Sequence, residues 1–243
     1  MKQGKATGLR EKLDRTFYPD VGRNWDDSLF REYLLRRITP ESVVLDLGAG
    51  AGVVAQMNFR NECRRICGVD PDPRVVDNPY LHEGKVSFGE NLPYPDATFD
   101  VVFCDNVMEH LDNPVAVLSE VARVLQPGGY FLWKTPNKLH YVPLLASLTP
   151  TRFHQFINKK RGRDESDTFP TRYKANRPAA VSRICKASGL EMTDYRLVES
   201  RPEYTRISAP IYVFGILYER LVNSTNLFRH FRVLFMGEAR KPR

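Results

Sequence analysis

The chain has 243 residues, of which 42% are hydrophobic and 27% charged, and its formal net charge is +7. That length suits one domain with embellishments, and that composition suits a packed core, which excludes a disordered or fibrous chain. Its four cysteines, Cys63, Cys67, Cys104 and Cys185, lack paired Cys-x-x-Cys spacing, so reduced core cysteines are expected and not a disulfide framework or a metal site. The first fifteen residues carry charges throughout and no apolar core of a signal peptide, which makes the cytoplasm the expected location.

Residues 1–40 read as a helical lead-in, with Trp25, Leu29, Phe30, Tyr33 and Leu34 at helical spacing. A short apolar run then ends in Asp46 and a glycine-rich turn with glycines at 48, 50 and 52, the pattern of a buried parallel strand stopping at a tight loop. Glycines there let backbone amides approach a ligand closely. A dinucleotide fingerprint would need glycine at position 53, which is valine, and a phosphate-cradling loop would need a lysine and a hydroxyl that Val53-Val54-Ala55 does not supply. The aspartate at the loop mouth suits a site for a positively charged amine.

Arg65 to Asp70 reads as a second strand ending in an acid. Asp70 lies close to the roughly 20-residue offset at which an acid reaches a ribose in a β-α-β unit, and a carboxylate accepts two hydroxyl hydrogen bonds well. Lys85–Phe88 is the expected third strand and Val101–Cys104 the fourth. A helix follows, with Asn113 as N-cap, Pro114 at its first position and an apolar stripe of Val115, Leu118, Ala122 and Leu125. Pro127-Gly128-Gly129 stops it, and Tyr130–Trp133 is the fifth strand. Arg177 to Ser188 suits a helix stopped by Gly189, Leu190–Val198 alternates as a strand, and Phe231–Phe235 reads as the last one.

Asp-x-Gly-x-Gly-x-Gly at 46–52, Asn91-Leu92-Pro93 leading to Phe99-Asp100, Glu109-His110, and Arg-Val-Leu-x-Pro-Gly-Gly at 123–129 occur in order between residues 43 and 137. In this set the chain resembles the class I S-adenosylmethionine-dependent methyltransferases, in particular the small-molecule, methyltransferase type 11-like group. The resemblance implies one α/β domain over 1–243: a Rossmann-like, seven-stranded, mostly parallel sheet with helices on both faces and the last strand antiparallel. The cofactor-binding core would span 43–135 and a helical substrate-cap insertion 136–176. The C-terminal helix and strands would span 177–243, with an apolar insertion at 205–225. It further implies S-adenosyl-L-methionine as cofactor. Asp46, Gly48, Ala49, Gly50 and Gly52 would hold its methionine portion, Asp70 with Pro71 the ribose, Asn91 with Leu92 the adenine, and Asp105 or Asn106 the side near the sulfonium. Tyr18 and Trp25 would cover it.

His110 and His140, at strand ends facing the expected cleft, are the candidates for base or substrate ligand. No metal is expected, because Asn106 replaces the first acid of the Glu-x-x-Glu-His set that holds a divalent ion in some of these enzymes. The expected reaction is methyl transfer to oxygen of a small-molecule, glycan or lipid-linked acceptor. An RNA methyltransferase and a non-catalytic cofactor-binding module of the same fold stay open as alternatives, and a nicotinamide dehydrogenase is set aside by Val53. RNA is disfavoured because no accessory RNA-binding module or aromatic-glycine signature is present.

Between 152 and 183 there are nine Lys or Arg against three acids, including Lys159-Lys160-Arg161-Gly162-Arg163, so most of the formal charge falls in this stretch. A solvated loop, an anionic acceptor and a membrane surface all fit it. The apolar run Ala209–Tyr218 is too short to span a bilayer and fits a core-packing helix, a dimer face or an interfacial helix. Oligomeric state is not legible.

Overall fold

The computed structural model describes residues 3–22, 24–148 and 170–243. Two helices, α1 (Gln3–Phe17) and α2 (Trp25–Leu34), lead into the strands β1 (Val43–Leu47), β2 (Arg65–Asp70), β3 (Glu83–Val86) and β4 (Phe99–Asp105). Then follow α3 (Pro114–Val124), β5 (Leu125–Pro136), α4 (Tyr141–Leu148), α5 (Pro178–Ala187), β6 (Glu191–Val198), α6 (Ala209–Ser224) and β7 (Leu234–Arg240). All seven strands form one sheet in the order β3-β2-β1-β4-β5-β7-β6. The pairings β1–β2, β1–β4, β2–β3 and β4–β5 are parallel, and β7 runs antiparallel to both its neighbours. The expected Rossmann-like sheet with an antiparallel last strand is therefore present.

The central strands are continuous apolar runs because both of their faces are covered. Along β4, Val101 and Phe103 pack with Val44, Ile66 and Leu132 under α2, whose Phe30, Tyr33 and Leu34 are buried. The alternate residues Val102 and Cys104 pack with Leu45, Phe131 and Trp133 under α3 and α5, through Val117, Leu118, Val121 and Val181. Each large side chain buried this way stabilises the fold by roughly 1.5–3 kcal/mol. Helix α3 begins as expected: the Asn113 side chain accepts from the Ala116 amide at 3.2 Å, and Pro114 fills the first turn. All four cysteines are buried and free.

Several boundaries differ from expectation: β4 runs from Phe99 and β5 from Leu125, so Pro127-Gly128-Gly129 lies within a strand. Helix α3 ends at Val124, so Leu125 opens β5 and does not complete the helical stripe. Strand β3 starts two residues earlier, at Glu83, and ends at Val86; its Gly84 passes so close to Val75, in the short helical turn Pro73–Asp77, that a Cβ would stand 2.0 Å from the Val75 carbonyl oxygen. Strand β7 starts at Leu234, while Phe231 lies in a short helical turn. Glu238 interrupts the apolar pattern of β7 but is satisfied there by Arg37 at 2.8 Å. The expected cap insertion contributes α4. Its residues 149–169, with His154, Phe156 and the basic stretch 159–163, lie outside the described residues.

Candidate active site

The carboxyl ends of β1, β2 and β4 open on a cavity of about 1540 Å³. Single-ligand clefts usually measure roughly 300–1,000 Å³, so this one has room for two molecules. It lies where the strand order reverses between β1 and β4, the crevice in which open α/β sheets bind ligands.

The loop after β1 forms its floor. Gly48 has φ +84°, and a Cβ there would stand 2.3 Å from Val107 Cγ2, so only glycine fits. Gly50 has φ +51° but nothing nearer to its ideal Cβ than Asp70 Oδ2 at 4.0 Å, which leaves its exposed side open towards the cavity. The Asp70 carboxylate accepts from the Gly50 amide at 2.9 Å and from the Asp72 amide at 2.8 Å, fixing loop and acid together. Asn78 staples the loop from the other side, donating to the carbonyls of Ala49 at 3.0 Å and Gly50 at 3.1 Å.

Asp46 is buried and lines the cavity, and its carboxylate has no hydrogen-bond partner among the described residues. Burial, then the charges of Asp105 and Asp70, push its pKa well above the carboxylate range. Burial also raises Asp70, against the two amides that bind it. Burial pushes Asp105 up to about 7, although Lys134 pulls the other way.

Lys134 is fully buried in β5 and reaches Asp105 at 3.0 Å, Asp26 at 3.3 Å and Asp27. Burial alone would lower its ammonium, but the three carboxylates outweigh that and hold it above its usual range. This clamp pins the first turn of α2 to the sheet beside the cavity. Asn106 sits at φ 54°, a conformation asparagine tolerates, and donates to Asp105 at 2.8 Å.

Asp46, Gly48, Ala49, Gly50, Gly52, Asp70, Pro71, Asp105 and Asn106 all line the cavity, as do Trp25, His110 and His140. Asn91 and Leu92 do not. Glu120 accepts from the Leu92 amide at 2.9 Å and Arg123 donates to its carbonyl at 2.9 Å, which ties this turn to α3 and drives the Leu92 side chain into the core. From this segment Ser87, Phe88, Gly89 and Glu90 reach the cavity instead. Tyr18 is buried against α6, away from the lining.

On the far wall His140 Nε2 lies 3.5 Å from Glu199 Oε2. The Val142 amide donates to His140 Nδ1 at 3.3 Å, which assigns the ring proton to Nε2, on the side of Glu199. Burial pushes His140 down to about 3. It pushes Glu199 up to about 8, against the amide of Val233 that binds the same oxygen. Near neutral pH the imidazole is uncharged and Glu199 is the group closest to titrating. His110, lowered by burial, places Nδ1 3.1 Å from the Pro170 carbonyl, and its neighbour Glu109 accepts from Thr135 at 2.8 Å.

The lining holds thirteen carboxylates and three arginines. All three arginines are engaged: Arg74 donates to Asp72, Arg201 to the carbonyls of Val21 and Gly22, and Arg206 to Asp14 and Glu203. An acidic cavity in a basic chain favours a cationic ligand. Among the described residues no group of three His, Cys, Asp or Glu side chains is placed to hold a metal ion.

Residues 45–133 match the model of a methyltransferase domain. This match supports a class I S-adenosylmethionine-dependent methyltransferase domain over these residues. A probable S-adenosylmethionine-dependent methyltransferase of Mycolicibacterium smegmatis is 38% identical over 104 residues, 41% of this chain and 40% of that protein. The ubiquinone biosynthesis O-methyltransferase of Neisseria meningitidis is 26% identical over 161 residues, 62% of this chain and 64% of that protein. The chain thus matches less than two thirds of the length of either relative. Among solved structures, the [4+2]-cyclase SpnF superposes with a TM-score of 0.58 at 19% identity, covering 93% of this chain and 86% of its own. Geranyl diphosphate C-methyltransferase from Streptomyces coelicolor gives 0.56 at 15%, covering 88% and 79%. These likenesses show the fold.

The residues of this cavity fit the cofactor of such a methyltransferase domain. Asp46 offers an unpartnered carboxylate to an ammonium group, Gly50 leaves backbone open to close approach, and each Asp70 oxygen keeps a lone pair for a ribose hydroxyl.

Proposed function

We propose that this chain transfers the methyl group of S-adenosyl-L-methionine to an oxygen of a small-molecule, glycan or lipid-linked acceptor. The observation that carries the proposal is the pairing, across one cavity, of an open acidic loop with a buried His140–Glu199 wall. The bound cofactor supplies an already activated methyl group on a sulfonium. What remains for the chain is to align the acceptor oxygen and to take its proton. Alignment alone can account for roughly 7–11 kcal/mol of a barrier, and proton transfer to a well-placed base for about 10²–10⁴ in rate.

Glu199 is the proton acceptor in this scheme, because His140 keeps its Nδ1 lone pair on Val142 and turns a donor towards the carboxylate. The Val233 amide holds Glu199, and His140 Nε2, 3.5 Å away and without a hydrogen-bond partner among the described residues, is left to meet the acceptor hydroxyl. The acid-lined wall favours a neutral or cationic acceptor over the anionic one that the basic stretch suggested, and it repels an RNA backbone. Cofactor contacts follow from the lining: Asp46 and the 48–52 loop on the methionine portion, Asp70 with Pro71 on the ribose, and Phe88 to Glu90 in place of Asn91 and Leu92 on the adenine.

Calorimetry with the donor and with its demethylated product tests the cofactor half. Turnover assays with hydroxylated acceptors test the other half. The rate should rise with pH through about 8, where Glu199 loses its proton, and Glu199→Gln should remove that limb while leaving cofactor affinity unchanged. A Glu199→Gln enzyme with the wild-type pH profile refutes the assignment.

A further inference from the structure

The wall of the cavity that carries His140 and Glu199 is built of rings. Tyr141 and Tyr204 line the cavity beside His140, with ring centroids 4.2 Å and 6.5 Å from the imidazole. Behind them Tyr218 of α6 stands edge-on to Tyr141 at 4.7 Å and to His140 at 5.4 Å, and its hydroxyl donates to the Phe231 carbonyl at 2.6 Å. Ring pairs at these distances attract beyond their buried area.

The wall is held from several directions. The Asn137 side chain donates to the carbonyls of His230 at 2.7 Å and Arg232 at 2.8 Å, and the Asn137 carbonyl accepts from the His140 amide at 3.0 Å. The turn that carries Tyr204 sits tightly on α6, where a Cβ on Gly215 would stand 2.0 Å from Thr205 Oγ1. The Val233 amide holds Glu199 at 2.8 Å. Rings fixed in this way need little further ordering when a ligand binds.

Two polar atoms interrupt this surface: His140 Nε2, which has no partner among the described residues, and Glu199 Oε2, 3.5 Å away. A flat apolar body bearing one hydroxyl matches that pattern. Charge excludes other bodies. The three lining arginines are taken up by Asp72, by the carbonyls of Val21 and Gly22, and by Asp14 and Glu203, so the described lining leaves no cation for a phosphate or carboxylate.

A sugar ring also lies flat on aromatic side chains, and the base separates the two. Burial and Glu219 push Glu199 up to about 8, against the Val233 amide and Arg232. A phenolic hydroxyl titrates near about 10, close to this base, whereas water titrates near about 15.7 and alkyl hydroxyls lie with it. General-base catalysis is most effective where base and acid are matched.

We infer that the acceptor is a phenol, whose ring lies against Tyr141 and Tyr204 and whose hydroxyl accepts from His140 Nε2 and donates to Glu199. The inference rests on the proposed transfer to oxygen and names its acceptor class. In the transfer the phenol oxygen forms the new bond to the methyl carbon, the C–S bond of the donor breaks onto sulfur, and the phenolic proton ends on Glu199.

Binding is tested apart from turnover. The full chain, with and without the demethylated product of the donor, is titrated with phenol and with cyclohexanol, a ring of similar size without π-electrons, and followed by NMR of the ligands. Phenol should bind at least about tenfold more tightly. Tyr141→Leu should reduce this preference about three- to tenfold, and Tyr141→Phe, which keeps the ring, should retain it. Tyr204→Leu tests the same surface from a separate element, and circular dichroism checks that each variant is folded. Equal affinity for the two probes overturns the inference, as does absence of phenol binding or a preference that neither leucine variant reduces. Any of these results leaves transfer to another oxygen standing. Selective phenol binding in a chain that gives no heat with the donor or its product would refute the transfer reading and leave the phenol site in place.

Discussion

Replacing Lys134 by methionine isolates what the buried clamp contributes. Methionine fills nearly the same volume, so the substitution removes charge without leaving a large cavity. It strands three carboxylates around a side chain that is fully buried. Asp105 and Asp27 are mostly shielded from solvent, while Asp26 keeps more than a third of its side-chain exposure and is screened. Breaking a buried ion pair from one side costs about 3–5 kcal/mol, and with one carboxylate partly screened we expect about 3 kcal/mol. For a chain of this size that lowers the melting temperature by about 6–12 °C.

The pH dependence follows from Asp105. Its folded pKa, about 7, lies above its ordinary 3.8, so its stabilising contribution is complete below the lower value and is lost as pH rises through the upper one. Without Lys134 the folded value moves higher still. The deficit of Lys134→Met relative to wild type should therefore be largest near about pH 8 and narrow towards about pH 5.5. Urea unfolding followed by circular dichroism at both pH values measures this. A loss below about 1 kcal/mol, or a deficit that does not narrow on acidification, would show that the ammonium does not hold these carboxylates.

Two loop glycines should separate folding from binding. Gly48→Ala combines positive φ with a 2.3 Å approach to Val107 and should cost about 2–3 kcal/mol of stability. Gly50→Ala meets open space, so it should cost only about 1 kcal/mol while its methyl group in the cavity weakens the cofactor about tenfold or more. Equal effects of the two variants on melting and on calorimetric affinity would contradict the geometry. Asp70→Ala should likewise weaken the cofactor at least about tenfold, and unchanged affinity removes the ribose assignment. Finally, burial raises Asp105 to about 7, so preference for the sulfonium donor over its uncharged-sulfur product should grow between about pH 6 and 8. A ratio of affinities independent of pH would mean that Asp105 does not sense the sulfonium.

Parts of the site written in consecutive residues were legible from the chain. The apolar run into Asp46 and the glycine loop needs no distant partner to be recognised, and neither does the Asn113-Pro114 start of α3. Elements that depend on distant side chains were not. Lys134 reads as an isolated polar residue in an apolar strand until Asp26 and Asp27 of α2 arrive beside it. Asn91 and Leu92 follow the family's order, yet Glu120 and Arg123 rotate their turn away from the cavity. The start of β7 was displaced because Glu238 breaks the apolar pattern and its partner, Arg37, lies at the other end of the chain.

Net charge misleads for the same reason. A formal +7 concentrated near residues 152–183 points towards an anionic acceptor, whereas the described walls of the cavity are lined by carboxylates. Potential at a site is set by the charges that face it and by how little water reaches them, so a chain-wide sum says nothing about one cleft. Here the two signs are partitioned by the fold. Acids gather at the carboxyl ends of β1, β2 and β4, where burial raises their pKa values, while Lys12, Arg220 and Arg229 are exposed to solvent. The cleft can therefore be acidic in a chain of positive net charge, since exposed charges are screened beyond about 10 Å.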